Sequence, residues 1–154
     1  MKKKIFASML TFIMVIALIP VMAFASPTEL TKFEATINVP HVGETLDYAP
    51  QADIDPQDGA AIDSVTWYKI LSKDYNIGED NDWIEVTQNE TAAKGYLYRS
   101  VIKVALGDEC TVTQETSVKL NDVELENNKP DAGYSIDDNG LNVRGVYSPI
   151  SETK

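Results

Sequence analysis

Residues 64–71 read Ser-Val-Thr-Trp-Tyr-Lys-Ile-Leu, and this stretch, SVTWYKIL, decides the fold. It is an alternating run, the pattern of a half-buried strand. Successive side chains of a strand point to opposite faces. Val65 and Trp67 therefore share one face, while Thr66, Tyr68 and Ile70 share the other. Only one of the two adjacent rings can lie in a given core. Trp67 is expected to be that ring, because burying an indole stabilises by roughly 2–3 kcal/mol or more. Tyr68 then faces outward or against a neighbouring strand.

The flanking sequence extends the same pattern. Phe33, Ala35, Ile37 and Val39 lie on one face of KFEATINVP, with Glu34, Thr36 and Asn38 on the other. Pro40 and Gly43 bracket a turn, after which ETLDYA is expected to resume as a short strand. PQADIDPQDGAA is dense in Pro, Asp and Gly and reads as loop. YLYRSVIKVAL places Tyr96, Tyr98, Ser100, Ile102, Val104 and Leu106 on one face, with Leu97, Arg99, Val101 and Lys103 on the other. CTVTQETSVKL continues as strand, and Asn121-Asp122 suits a two-residue hairpin turn into VELE. YSI and LNVRGVY, separated by DDNG, close the chain's strand pattern. Seven to nine short strands joined by turn signals, with no helical period after residue 25, indicate an all-β antiparallel sandwich. Trp67, Val65, Phe33, Ile37, Tyr98, Ile102 and Val104 are its expected core.

The N-terminus has a different character. Lys2, Lys3 and Lys4 precede a mostly apolar run from Ile5 to Met22, and Ala23-Phe24-Ala25 fits the small-x-small pattern of signal-peptidase sites. Residues 1–25 are expected to be a cleaved secretory signal, 26–32 a short polar lead, 33–150 one sandwich domain and 151–154 a tail. Secretion is the expected localisation, with no stable membrane insertion after cleavage. The formal net charge is −11, and it falls to −14 once the three lysines of the leader are gone. Such a surface repels nucleic acid and anionic membranes. Cys110 is the single cysteine, so no disulfide forms within the chain and core burial must hold the fold.

The order of these segments carries a resemblance. PHVGETL precedes SVTWYK, GYLYRSVIKVAL follows, then TSVKLNDVEL and a closing LNVRGVY. This resembles the small immunoglobulin-like domains of secreted and surface proteins of gut-dwelling Gram-positive bacteria, over about residues 33–147. The resemblance implies an immunoglobulin-like sandwich with no catalytic set. The chain departs from that pattern at Asn121-Asp122, where the family has Asn-Gly, and at Cys110-Thr111-Val112, where an aromatic commonly stands.

Few constellations point to chemistry. Asp53 and Asp55 match the first and third ligands of an EF-hand-like calcium loop, with Asp58 nearby. The register then fails, because Asp58 stands where glycine is needed and Ser64 replaces the closing Glu. A single His and a single Cys leave little for zinc, and no G-x-S-x-G elbow or phosphate-binding loop occurs. Trp83 follows GEDND at the start of WIEVT. It either caps the end of the core or offers a platform on which a sugar ring or a partner side chain stacks, with Tyr68 and Tyr75 as further stacking candidates. The expectation is a secreted, non-enzymatic binding or structural module that contacts an extracellular protein or glycan. The alternatives are a small carbohydrate-binding module and a calcium-dependent adhesion domain.

Overall fold

The computed structural model describes residues 28–138 and 140–151. The expected signal at 1–25 and most of the tail lie outside the described residues. Among the described residues nine strands form two sheets: β1 (Thr28–Thr36), β2 (Gln51–Asp55), β3 (Ala60–Leu71), β4 (Ile84–Glu85), β5 (Tyr96–Leu106), β6 (Cys110–Leu120), β7 (Val123–Glu124), β8 (Gly133–Asp137) and β9 (Gly140–Tyr147). A 3-10 turn, Ser72–Asp74, follows β3. One sheet has the order β2-β1-β6-β7 and the other β4-β3-β5-β9-β8. Among the described residues no helix is long and apolar enough to cross a membrane.

The inner faces of the sheets share one apolar core. Leu30, Phe33 and Ala35 of β1 and Val118 and Leu120 of β6 meet Trp67 of β3, Tyr98, Ile102 and Val104 of β5, and Leu141 and Val143 of β9. Trp67 is fully enclosed, Ile37 is buried at the end of β1, and Val65 packs against the cluster from its edge. The Trp67 Nε1–H donates to the Asp47 carbonyl at 2.7 Å, so the indole is buried without leaving its polar atom unpaired. Tyr147 lies tilted against it with ring centroids 5.6 Å apart. Cys110 is also buried.

A bulge in β3 sets this arrangement. The β3–β5 register shifts between Ile62 and Ser64, so that Ile62 faces Val104 and Val65 faces Ile102. The extra residue lets an even-numbered side chain before it and odd-numbered ones after it reach the same core.

Several expectations need correction. The sheets are not wholly antiparallel, because β1 and β6 run parallel from Thr28↔Cys110 to Ala35↔Leu120. The units between them supply the long crossover that parallel neighbours require. Strand β1 begins at Thr28, so most of the expected lead at 26–32 is strand. A register irregularity between Leu30 and Lys32 broke the alternation there, although Leu30 is fully buried. Residues 51–55, read as loop, form β2 on the free side of β1. The segment ETLDYA contributes only an isolated bridge, Thr45↔Thr91. The Asn121-Asp122 turn does close the β6–β7 hairpin, with φ of 51° and 65°. Both values are left-handed, as a two-residue primed turn requires.

Replacing Trp67 by Ala is expected to remove about 3–5 kcal/mol of stability by opening an inter-sheet cavity. Urea unfolding of the two proteins measures it, and a loss below about 1 kcal/mol would deny the indole its central place.

Candidate functional site

The outward face of the five-stranded sheet carries the most concentrated polar–aromatic cluster. Tyr68 and Arg99 are cross-strand partners in the β3–β5 register and so stand side by side on that face. The pairing of Ile84 and Glu85 with Lys69 and Tyr68 brings the preceding Trp83 alongside them. The Arg99 guanidinium carbon lies 4.9 Å from the Tyr68 ring centroid and 4.8 Å from that of Trp83. Tyr75 meets Trp83 edge-on at 5.8 Å. The three aromatics proposed from sequence as stacking rings thus converge on one arginine.

Two loops wrap this cluster. In the first, residues 72–83, the Asn81 side chain does the work of missing sheet bonds. Its Oδ1 accepts from the Asn76 N–H at 2.8 Å, and its Nδ2 donates to the carbonyls of Asn76 and Glu79, each at 2.9 Å. Gly78 bends the loop at φ 78°, a left-handed value that suits glycine. The second loop contributes Asp131, whose Oδ2 accepts from the Gly78 N–H at 3.0 Å. Asp131 also accepts from the Tyr75 hydroxyl. One carboxylate therefore ties together segments 53 residues apart. Between the loops lies a cleft of about 330 Å³, lined by Tyr68, Trp83, Arg99, Asp131 and the rim acids Glu79, Asp80 and Asp82.

The electrostatics of the cleft are unusual for so acidic a chain. Arg99 and Arg144 are its only arginines, and both project from this face of the sheet. Burial pushes the Arg99 guanidinium below its ordinary value; the Tyr68 hydroxyl works the other way and Arg144 adds to the lowering. Burial also lowers Arg144. Arg144 has outlets, donating to Ser135 Oγ at 2.9 Å and to the Lys129 carbonyl at 2.7 Å. Arg99 has none. Its Nε is enclosed without a partner, and no hydrogen bond or ion pair reaches its guanidinium among the described residues.

The other sequence candidates fare differently. Trp83 is half-buried and lies outside the core cluster, so it does not cap the core. Asp53, Asp55 and Asp58 form no ligand set, since no group of three or more His, Cys, Asp or Glu side chains suited to a metal occurs among the described residues. Asp53 instead pairs with Lys32 at 2.8 Å. The segment is a strand rather than a curled loop, and an extended chain spreads Asp53 and Asp55 roughly 7 Å apart along its axis. A larger concavity of about 740 Å³ lies by Ile37, His41, Asp47 and Asn121. Two of its polar side chains are spent on the fold: Asn121 Oδ1 accepts from the Ile37 N–H, and Asp47 accepts from the N–H groups of Asn38 and Ala49.

Sequence reasoning missed Arg99, Asp131 and Asn81. A readable signal existed for the first, since Arg99 interrupts the apolar residues Leu97 and Val101 on a strand face opposite the core. A scan against protein-family models and searches of curated proteins and of solved structures find no match to this chain.

The Tyr75 hydroxyl is pushed up to about 12, first by burial and then by its bond to Asp131. A tyrosine whose folded value exceeds its unfolded value of 10.0 stabilises the fold below that pH and loses the contribution as pH rises toward about 12. Stability measured by urea across pH 9.5–12 is expected to fall more steeply in the wild-type protein than in Tyr75→Phe. Parallel curves would remove Tyr75 as a loop tie.

Proposed function

We propose that this chain is an extracellular, non-enzymatic binding module of the immunoglobulin-like sandwich type, and that the cleft over Arg99 is its contact surface. The observation that carries this reading is convergence. Tyr68, Tyr75, Trp83 and Arg99 come from two strands and a loop, and they meet on the one sheet face that two tied loops enclose. Side chains that hold a core together do not need such an arrangement, because Trp67 and its neighbours already supply that core on the opposite face.

The groups present suit recognition. Aromatic rings supply rigid contact area at low entropic cost, and an arginine supplies directional donors. The rim carboxylates Glu79, Asp80 and Asp82 are exposed, and Asp131 is committed to holding the loops. The carbohydrate-binding alternative draws on the same three rings. Arg99 already contacts Tyr68 and Trp83, which reduces the open ring area on which a sugar could stack.

The test compares residues 26–154 with the Tyr68→Ala/Trp83→Ala variant on immobilised extracellular proteins and on a glycan array. Wild-type binding is expected to at least one class of target, with a loss of about 10-fold or more in the variant at unchanged circular dichroism. Equal binding by both proteins would place the contact surface elsewhere.

A further inference from the structure

We propose that the cleft over Arg99 receives a protein partner through one acidic side chain, an Asp or Glu flanked by basic and apolar residues. This rests on the reading of the cleft as the binding surface and specifies what enters it.

The charge pattern is the first argument. At the centre stands a partly buried guanidinium that no carboxylate among the described residues reaches by hydrogen bond or ion pair, and around it stand the exposed carboxylates of Glu79, Asp80 and Asp82. A charge removed from water and left unpaired costs free energy, which an arriving carboxylate recovers through charge-assisted hydrogen bonds. Guanidinium geometry favours a two-oxygen acceptor, and contact with the Tyr68 and Trp83 rings leaves those N–H donors unused. The nearby Asp131 acts on the guanidinium only through space, with no hydrogen bond or ion pair to it, and accepts from Gly78 and Tyr75 instead. Nor does Arg144 on the same face compete for the ligand, since its terminal nitrogens donate to Ser135 and Lys129. The complement of a positive centre with a negative rim is a single negative group with positive neighbours.

The second argument concerns the class of partner. Ile77 is 87 % exposed in the loop that carries the rim acids of the cleft. Apolar side chains beside Tyr, Trp and Arg are the composition of protein–protein contact centres. An acidic polysaccharide also offers carboxylates, but it repeats them, and each further one would meet the rim acids. A protein segment can place one acid between bases, and an apolar side chain of it can cover Ile77.

Emission from Trp83 provides the readout, because the other tryptophan, Trp67, is fully enclosed. The probes are end-blocked pentapeptides: Lys-Leu-Glu-Leu-Lys, the same peptide with central Gln, and Glu-Leu-Glu-Leu-Glu, together with an oligogalacturonate. The first is expected to bind about 10-fold or more tightly than the others at low salt, the difference one charge-assisted contact supplies. Arg99→Lys is expected to keep the fold and most of the charge while losing that preference, and Ile77→Asp to weaken the first peptide alone. Equal affinity for the Glu and Gln peptides overturns the proposal, as does tighter binding of the oligogalacturonate. So does an unchanged Trp83 emission with the first peptide up to about 10 mM, an affinity weaker than any specific contact of this kind would give. If the peptides bind equally and Tyr68→Ala, which keeps the Trp83 readout, abolishes them all, the cleft remains the binding surface and only its carboxylate selectivity is lost.

Discussion

The parity of β3 around Trp67 is the constraint on which everything else depends. With no disulfide to join the sheets, a fully enclosed indole spans them and fixes its Nε1–H on the Asp47 carbonyl. Once Trp67 points inward, Tyr68 must point outward, because neighbouring strand residues alternate. The β3–β5 register then places Tyr68 directly beside Arg99. A one-residue slip would reverse the two faces, sending Tyr68 to the core and the indole to solvent. The core and the cleft are therefore two consequences of one register, and the bulge after Ile62 is what allows that register to coexist with a buried Ala60 end of the strand.

Much of the core was legible in the sequence because period-2 alternation is a direct imprint of a half-buried strand. Phe33, Ala35 and Ile37 on one segment and Tyr98, Ile102 and Val104 on another are enclosed as their spacing indicates. Alternation says nothing about strand direction, so the parallel β1–β6 pair was invisible. It also fails at irregularities: Leu30 and Phe33 are both buried although three residues apart, and the interruption disguised the start of β1. Strand β2 was hidden for a different reason. At an edge its side chains face water, so Asp53 and Asp55 carry no burial signal, and the following Pro56 and Gly59 read as loop.

The candidate site was legible only in part. Tyr68, Tyr75 and Trp83 stand out as aromatics outside the core pattern, but their convergence depends on how residues 72–83 fold back over the sheet. That path is set by side-chain bonds from Asn81 and Asp131, which leave no periodic trace. Arg99 required knowing that its cross-strand neighbour is a tyrosine and that no carboxylate among the described residues meets it by hydrogen bond or ion pair.

That last point runs against the ordinary expectation for an acidic chain. With 24 acidic residues in the sequence, a guanidinium should find a carboxylate partner with ease. The fold prevents it here. Asp131 accepts from Gly78 and Tyr75, and the exposed carboxylates of Glu79, Asp80 and Asp82 stand on a loop whose backbone Asn81 ties. Lys32, Lys69 and Lys119, by contrast, all pair with nearby acids at 2.8, 2.8 and 3.6 Å. A partly buried charge that aromatic rings touch, and that no described carboxylate meets by hydrogen bond or ion pair, is poorly explained by stability. Satisfying it would have needed no more than a slack loop. The arrangement is better explained by a contact made from outside, for which the guanidinium is kept desolvated, oriented and free.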